Sequence, residues 1–216
     1  MGHPVTGPEF LASDGVGDWR VIWGAGWASA HYRTVDYETA VRLAHRVGVL
    51  AAAASHPADV DLRPGGVTVR LLSGEPGGLS SDDVELARSI SAAAAELGAA
   101  ADPSAVQHVQ VAIDAASSAA VAPFWQAVLG YESLGDEDVL DPLRRGPSFW
   151  FQRMDVPRTE RGRVHVDVYL PHDEAERRIA AALAAGGHVV DDSHAPEWWT
   201  LADAEGNEAD VAIWMQ

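Results

Sequence analysis

The chain has 216 residues, 47% of them hydrophobic, a formal charge of −17, no cysteine, and 15 basic residues that are all Arg. Its acidity argues against nucleic acid or an anionic membrane as the main partner, because phosphate binding needs a basic surface. Without cysteine there are no disulfides and no thiolate metal sites, and without lysine there is no Schiff-base chemistry.

Any metal must therefore be held by His, carboxylate or amide oxygen. No apolar run approaches the ~20 residues of a membrane span. The start, Met1-Gly2-His3-Pro4-Val5, has neither the basic residues nor the apolar core of a secretory signal. These features predict a cytoplasmic protein whose main partner is neither nucleic acid nor membrane.

In chain order, residues 19–35 are rich in aromatic and β-branched residues broken by Gly24 and Gly26, and read as a hairpin. Asp36 caps a helix to about Ala54, with Tyr37, Val41, Ala44 and Val47 on one face; Pro57 ends it. Residues 60–73 read as two strands turned at Arg63-Pro64-Gly65-Gly66. Ser80-Ser81-Asp82-Asp83 caps a second helix with Val84, Ala87, Ile90, Ala94 and Leu97 as its stripe. An Ala/Gly-rich stretch at 97–103 then separates two halves. The division expected is an N-terminal segment 1–18, a domain 19–100, a linker 101–104 and a domain 105–216.

The second half carries a repeat. His108-Val109-Gln110-Val111-Ala112-Ile113-Asp114 is echoed by His165-Val166-Asp167-Val168-Tyr169-Leu170-Pro171. Period-two alternation puts His108 with Gln110 and His165 with Asp167 and Tyr169 on polar faces, with Val109-Val111-Ile113 and Val166-Val168-Leu170 on core faces. Each copy leads into a helix closed by Gly130 or by Gly186-Gly187, followed by three short strands. Two βαβββ modules result, and pairing them into one curved, cup-like sheet removes open edges. The fold class is α+β, with an N-terminal antiparallel sheet carrying helices on one face and a C-terminal pair of modules.

With Phe124-Trp125-Gln126-Ala127-Val128-Leu129-Gly130-Tyr131 and Leu201-Ala202-Asp203-Ala204-Glu205-Gly206-Asn207-Glu208, the repeat resembles a glyoxalase-type domain of the vicinal-oxygen-chelate superfamily over about residues 105–215. The resemblance implies four metal ligands from four strands, which fall on His108, His165, Asp210 and a position near Gln152. Such a set suits a divalent Zn, Fe, Mn or Ni ion. Asp at 210, where the family has Glu, shortens the reach. The bland alternative is a metal-free cup in which His108 and His165 only hydrogen-bond. Asp167 or Gln152 is the candidate for proton transfer. Gln110, Trp150, Tyr169 and Trp199 are candidate substrate contacts, the Trp residues coming from a set with Trp198 and Trp214 that otherwise reads as core. Asp203-Ala204-Glu205-Gly206-Asn207 reads as a hairpin turn.

The first half resembles pterin-4a-carbinolamine dehydratase over about residues 19–98. Ser55-His56-Pro57 stands at its His-His-Pro motif, and Val67-Thr68-Val69-Arg70-Leu71 and Gly77-Gly78-Leu79-Ser80-Ser81-Asp82-Asp83 match the next strand and helix start. Tyr32 and Tyr37 take the places of its usual aromatics. The departures are Ala51, Ser55 and Gly74, which leave His56 as the surviving catalytic candidate of a degenerate fold. Three functions follow from these resemblances: a glyoxalase-like lyase, isomerase or dioxygenase; residual pterin-4a-carbinolamine dehydration at His56; or a non-catalytic, drug-sequestering binder. A homodimer is expected in each case.

Overall fold

In this computed structural model the described residues are 2–22, 27–72, 78–106, 109–154, 165–170 and 175–213, without the side chains of Ile22, Tyr169, Leu170 and Ile213. The chain divides into two compact units, residues 1–108 and 109–216. Among the described residues no helix is long and apolar enough to cross a membrane.

The first unit runs β1 (Pro4–Val5), α1 (Gly7–Leu11), β2 (Arg20–Ile22), β3 (Trp27–Arg33), α2 (Tyr37–Ala54), β4 (Ala58–Arg63), β5 (Gly66–Leu71), β6 (Leu79–Ser80), α3 (Ser81–Glu96) and β7 (Ala100–Ala101). Its main sheet has the order β2-β3-β5-β4, antiparallel throughout, with β7 also on β3. Alternation sorts β3 and β5: Ala28, Ala30, Tyr32, Val67, Val69 and Leu71 are buried in one core with the helices. Residues 1–18 belong to this core through Phe10 and Val16, and the stretch read as linker supplies β7. Asp36 caps α2 by accepting from the Thr39 amide at 2.7 Å. Ser80 caps α3, its amide and hydroxyl donating to Asp83 Oδ2 at 2.7 and 2.9 Å.

The stripe expected on α2 is rotated. The buried residues are Thr39, Ala40, Leu43 and Val47, whereas Tyr37 is 53% and Val41 44% exposed. Two apolar stripes compete on this helix. The one containing Leu43 wins because it faces both the sheet and α3.

The second unit runs β8 (Gln110–Ala115), α4 (Ser118–Leu129), β9 (Glu132–Leu134), β10 (Asp138–Leu140), β11 (Ser148–Arg153), β12 (Val166–Leu170), α5 (Ala175–Ala184), β13 (His188–Asp191), β14 (Trp198–Ala202) and β15 (Glu208–Ile213). These are two βαβββ modules of identical order, β8-β11-β10-β9 and β12-β15-β14-β13, with the first and last strand of each parallel. One core serves both: Phe124, Trp125 and Val128 of α4 pack with Phe149 and Phe151 of β11 and with Leu201, Ala209 and Val211 of the second sheet. Gly130 closes α4 in the left-handed region at φ 72°, as its position after the last apolar residue requires. A Cβ at Gly187 would run into the Phe124 ring, so the second module approaches α4 only over glycine.

Asp141 organises the turn before β11. It is 4% exposed and accepts from the Leu143 and Arg145 amides and from Arg145 Nε, each at 2.9 Å. Burial alone would raise its pKa, but the hydrogen bonds from Arg145 and the two amides prevail and pull it down to about 2. A carboxyl held below its unfolded value of ~3.9 stabilises the fold fully above that pH, and the contribution fades as pH falls towards 2. Wild type should therefore lose its stability advantage over Asp141→Asn between about pH 4 and 2 in urea melts. An advantage unchanged across that window would contradict the assignment.

Candidate functional site

The second sheet brings donor groups together on the face turned away from the helices. Val166, Ala209 and Val211 point into the core, so alternation sends Asp167 and Asp210 to the other side. Parallel pairing sets Asp167 beside Asp210, and antiparallel pairing sets Thr200 beside Asp210, making one row across three strands. His165 stands one turn of the pleat before Asp167. Its Nε2 lies 3.2 Å from Asp167 Oδ1 and 3.5 Å from Asp210 Oδ2. One donor atom from each residue lies within 4.8 Å of the other two. His165 and Asp167 are about half exposed, and Asp210 is 18% exposed.

Asp210 Oδ1 is buried and has no hydrogen-bond partner among the described residues. An orphaned carboxylate oxygen costs desolvation energy without return. A cation held by this carboxylate would answer that deficit. Three ligands at 2.0–2.2 Å from one ion put their donor atoms about 3 to 3.5 Å apart, which matches the two His165 distances. One imidazole and two carboxylates therefore fit a divalent ion.

Of the four ligands that the resemblance implied, His165 and Asp210 are brought together and His108 lies outside the described residues. Gln152 is exposed and pairs with Asp114. The register assigns a different counterpart to Asp210. Asp210 lies beside Asp167, two residues after the repeated His; in the first module the residue two after the His is Gln110, and it lies beside Ser148. Gln152 is four residues further along β11, about 13 Å. Asp167, read as a proton-transfer group, sits inside the donor cluster.

The substrate contacts are redistributed as well. Gln110 donates to Asp138 Oδ1 at 2.8 Å, across β11. Trp150 lies on the same face, half-buried, with Nε1 3.5 Å from Glu137 Oε2. Burial raises the pKa of Asp138, the Glu137 charge adds to the rise, and the Gln110 bond opposes it. Trp199 packs against the helices and core; Trp198 takes the face of Thr200 and Asp210. The side chain of Tyr169 lies outside the described residues, as do Trp214 and residues 155–162. Asp138 was missed, and Trp198 was not separated from Trp199, because pairing register, which places them, is not legible in a single strand.

In the first unit, His56 Nε2 lies 2.7 Å from Asp83 Oδ1, and Asp83 is fully buried while also accepting from Ser80. Ser55 ends α2 in the left-handed region at φ 51°. Tyr32 is buried with its hydroxyl 3.1 Å from Ser91 Oγ, and burial pushes its pKa well above the usual value. Tyr37 is exposed. Gly74 lies outside the described residues.

Comparison with known proteins agrees with this division. The family model described as a Glyoxalase-like domain matches residues 110–212, and the one described as pterin 4 alpha carbinolamine dehydratase matches residues 9–93. The chain thus joins a glyoxalase-like domain to a pterin carbinolamine dehydratase-like one. No curated protein matches it in sequence. Among solved structures, a transcriptional coactivator/pterin dehydratase from Brucella melitensis is 23% identical, over 42% of this chain and 97% of that one, with a TM-score of 0.37. A glyoxalase/bleomycin resistance protein/dioxygenase family enzyme from Burkholderia phytofirmans is 16% identical, over 49% and 97%, with a TM-score of 0.40. A mutant of the fosfomycin resistance protein FosX from Listeria monocytogenes, complexed with Mn(II) and a dihydroxypropylphosphonic acid, is 14% identical, over 50% and 89%, with a TM-score of 0.37.

Proposed function

We propose that the C-terminal unit is a metal-dependent small-molecule enzyme of the glyoxalase type, with its divalent cation held by His165, Asp167 and Asp210. The observation that carries this reading is the convergence of one donor atom from each of these residues within 4.8 Å, on a carboxylate, Asp210, whose other oxygen, Oδ1, is buried without a hydrogen-bond partner among the described residues. Zn, Fe, Mn and Ni all suit the donor set. A bound divalent ion supplies Lewis acidity towards a carbonyl or hydroxyl oxygen of the substrate, the chemistry that lyases, isomerases and dioxygenases of this type share. His108, two residues before Gln110 as His165 is before Asp167, is the fourth donor in this reading.

The chain's own groups do the rest. Asp210, the least exposed of the three, anchors the cluster, while His165 and Asp167 leave its outer side open to solvent for a substrate. In the first module's sheet, burial raises the proton affinity of Asp138, whose carboxylate Gln110 holds by a hydrogen bond. Pterin dehydration at the N-terminal unit is residual at most, with one of three imidazoles left.

Calorimetric titration with Mn²⁺ tests the site. Wild type should bind one ion. His165→Ala and Asp210→Asn should each weaken binding by at least about 100-fold, since losing even the outer partners of ligands costs 10–100-fold. Asp167→Asn and His108→Ala should weaken it less. Gln152→Glu, remote in the register from Asp210's counterpart, should leave the affinity unchanged. If His165→Ala and Asp210→Asn bind Mn²⁺ like the parent, the cluster is an ordinary hydrogen-bonded group and the non-catalytic binding reading replaces this one.

A further inference from the structure

We propose that the substrate of this site is aromatic, with its ring lying against Trp198 and an oxygen group reaching the His165–Asp167–Asp210 cluster; this rests on the metal reading above. Trp198 is a large aromatic outside the hydrophobic core of its unit, whereas its neighbour Trp199 packs against that core. Alternation explains the contrast, because Trp199 shares the inward face with Leu201 and Trp198 shares the outward face with Thr200.

The indole is also held. His194 stacks on it with ring centroids 4.0 Å apart and planes 14° from parallel. The loop that presents His194 is tied by Ser193 N to Asp191 Oδ1 at 2.9 Å, Ala195 N to Asp192 O at 3.0 Å and Glu197 N to His194 O at 2.9 Å. Among the described residues His194 is the one ring stacked on Trp198. Both rings are reachable, His194 being exposed and Trp198 half-buried.

Register sets the distance from this platform to the cluster. Thr200, Asp210 and Asp167 form one row, and Trp198 and Ala212 belong to the next. Rows on one face are two residues apart, about 6.7 Å along the strand. Ala212, between the two rows' outer strands, is small and only 7% exposed. A six-membered ring beside Trp198 therefore spans the gap, and an oxygen on the ring or on the adjoining carbon arrives at the cluster. A short aliphatic ligand at the cluster does not reach the indole. Stacking on an aromatic platform adds to the area it buries.

The test uses full-length protein and two hydroxy acids with the same donor group, mandelate with a phenyl ring and lactate with a methyl. Mn²⁺ alone is titrated first, by calorimetry, into wild type, Trp198→Leu and His194→Ala. All three should bind it equally. In the Mn²⁺-loaded proteins mandelate should bind wild type about tenfold more tightly than lactate, a margin within the reach of one stacked ring. Trp198→Leu should abolish that preference, and His194→Ala, a change at an exposed residue, should reduce it. Equal binding of the two acids by wild type, or a preference that survives in both variants, overturns the proposal while leaving the metal site intact. If Mn²⁺ does not bind wild type, the metal reading fails separately. The same pair titrated without metal, followed by tryptophan fluorescence, then decides: quenching by mandelate that Trp198→Leu removes supports the platform, and quenching equal in both proteins overturns it.

Discussion

Replacing Asp203 by Ala is expected to unfold the glyoxalase-like unit under conditions where wild type is folded. Asp203 is fully buried, and its two oxygens receive four hydrogen bonds. Oδ1 accepts from the Glu205 and Asn207 amides at 2.9 Å each; Oδ2 accepts from Trp125 Nε1 at 3.0 Å and from Asn207 Nδ2 at 2.8 Å. Trp125 is itself buried on α4, between Phe124 and Phe149. One side chain thus shapes the β14–β15 hairpin of the second module and ties it to the helix of the first. The same hairpin sends Glu205 to the start of that helix, where its carboxylate accepts from the Ala116 and Ser117 amides at 2.8 and 2.9 Å. A carboxylate there also complements the helix dipole.

Each buried donor left without an acceptor costs about 1–3 kcal/mol. The loss for Asp203→Ala should reach about 3–5 kcal/mol, the scale for breaking a buried charged network. Against a domain stability of about 5–15 kcal/mol, that is a large fraction. Asp203→Asn keeps one acceptor but aims an NH2 at other donors, so it should be intermediate. Glu205→Ala should cost about 1 kcal/mol, as loss of a cap does. Because the chain has two units, urea melts should be followed by near-UV dichroism, which reports Trp125 in its packed setting. A cost below about 1 kcal/mol for Asp203→Ala would show that water replaces the network.

The second large effect is a loss of activity. The purified protein should dehydrate pterin-4a-carbinolamine at least about 100-fold more slowly than a dehydratase with all three imidazoles, since general acid–base catalysis contributes ~10²–10⁴-fold. Ser55 and Gly74 supply no imidazole. The survivor, His56, is engaged: its Nε2 is bound to Asp83, which also caps α3 through Ser80. This pair joins the residues that follow α2 to the start of α3, a fastening role. His56→Ala should accordingly lower the melting temperature of the first unit while changing the small residual dehydration little. Turnover comparable to a three-His enzyme would return this unit to the list of active dehydratases.

Much of the fold was legible in the chain because the signals are local. The Asp36 cap, the Ser80–Asp83 capping box, the turn at Pro64-Gly65 and Gly130 after its helix each act within a few residues of their own position. The repeat announced two βαβββ modules, and alternation sorted Val111, Ile113 and Val166 to the core side, although Val109, read on the same face, is 57% exposed at the strand's edge. Which of two apolar stripes α2 would bury was not legible, because Leu43 and Val41 are equivalent until the sheet and α3 are in place.

The site divides along the same line. His165 and Asp210 were visible as donors in matched strands, and their residue types alone proclaim metal or proton chemistry. What they meet was decided by tertiary structure. Pairing across strands set Asp167 beside Asp210, matched Ser148 and not Gln152 to Asp210, joined Gln110 to Asp138, and put Trp198 outside while Trp199 went in. A slip of one residue reverses every side chain on a strand, so no pattern within a single strand fixes its neighbours. The sequence by itself determined the elements and the chemical repertoire. Only the packed sheets decided which members of that repertoire share one row, because register is chosen by burying both modules on a common core.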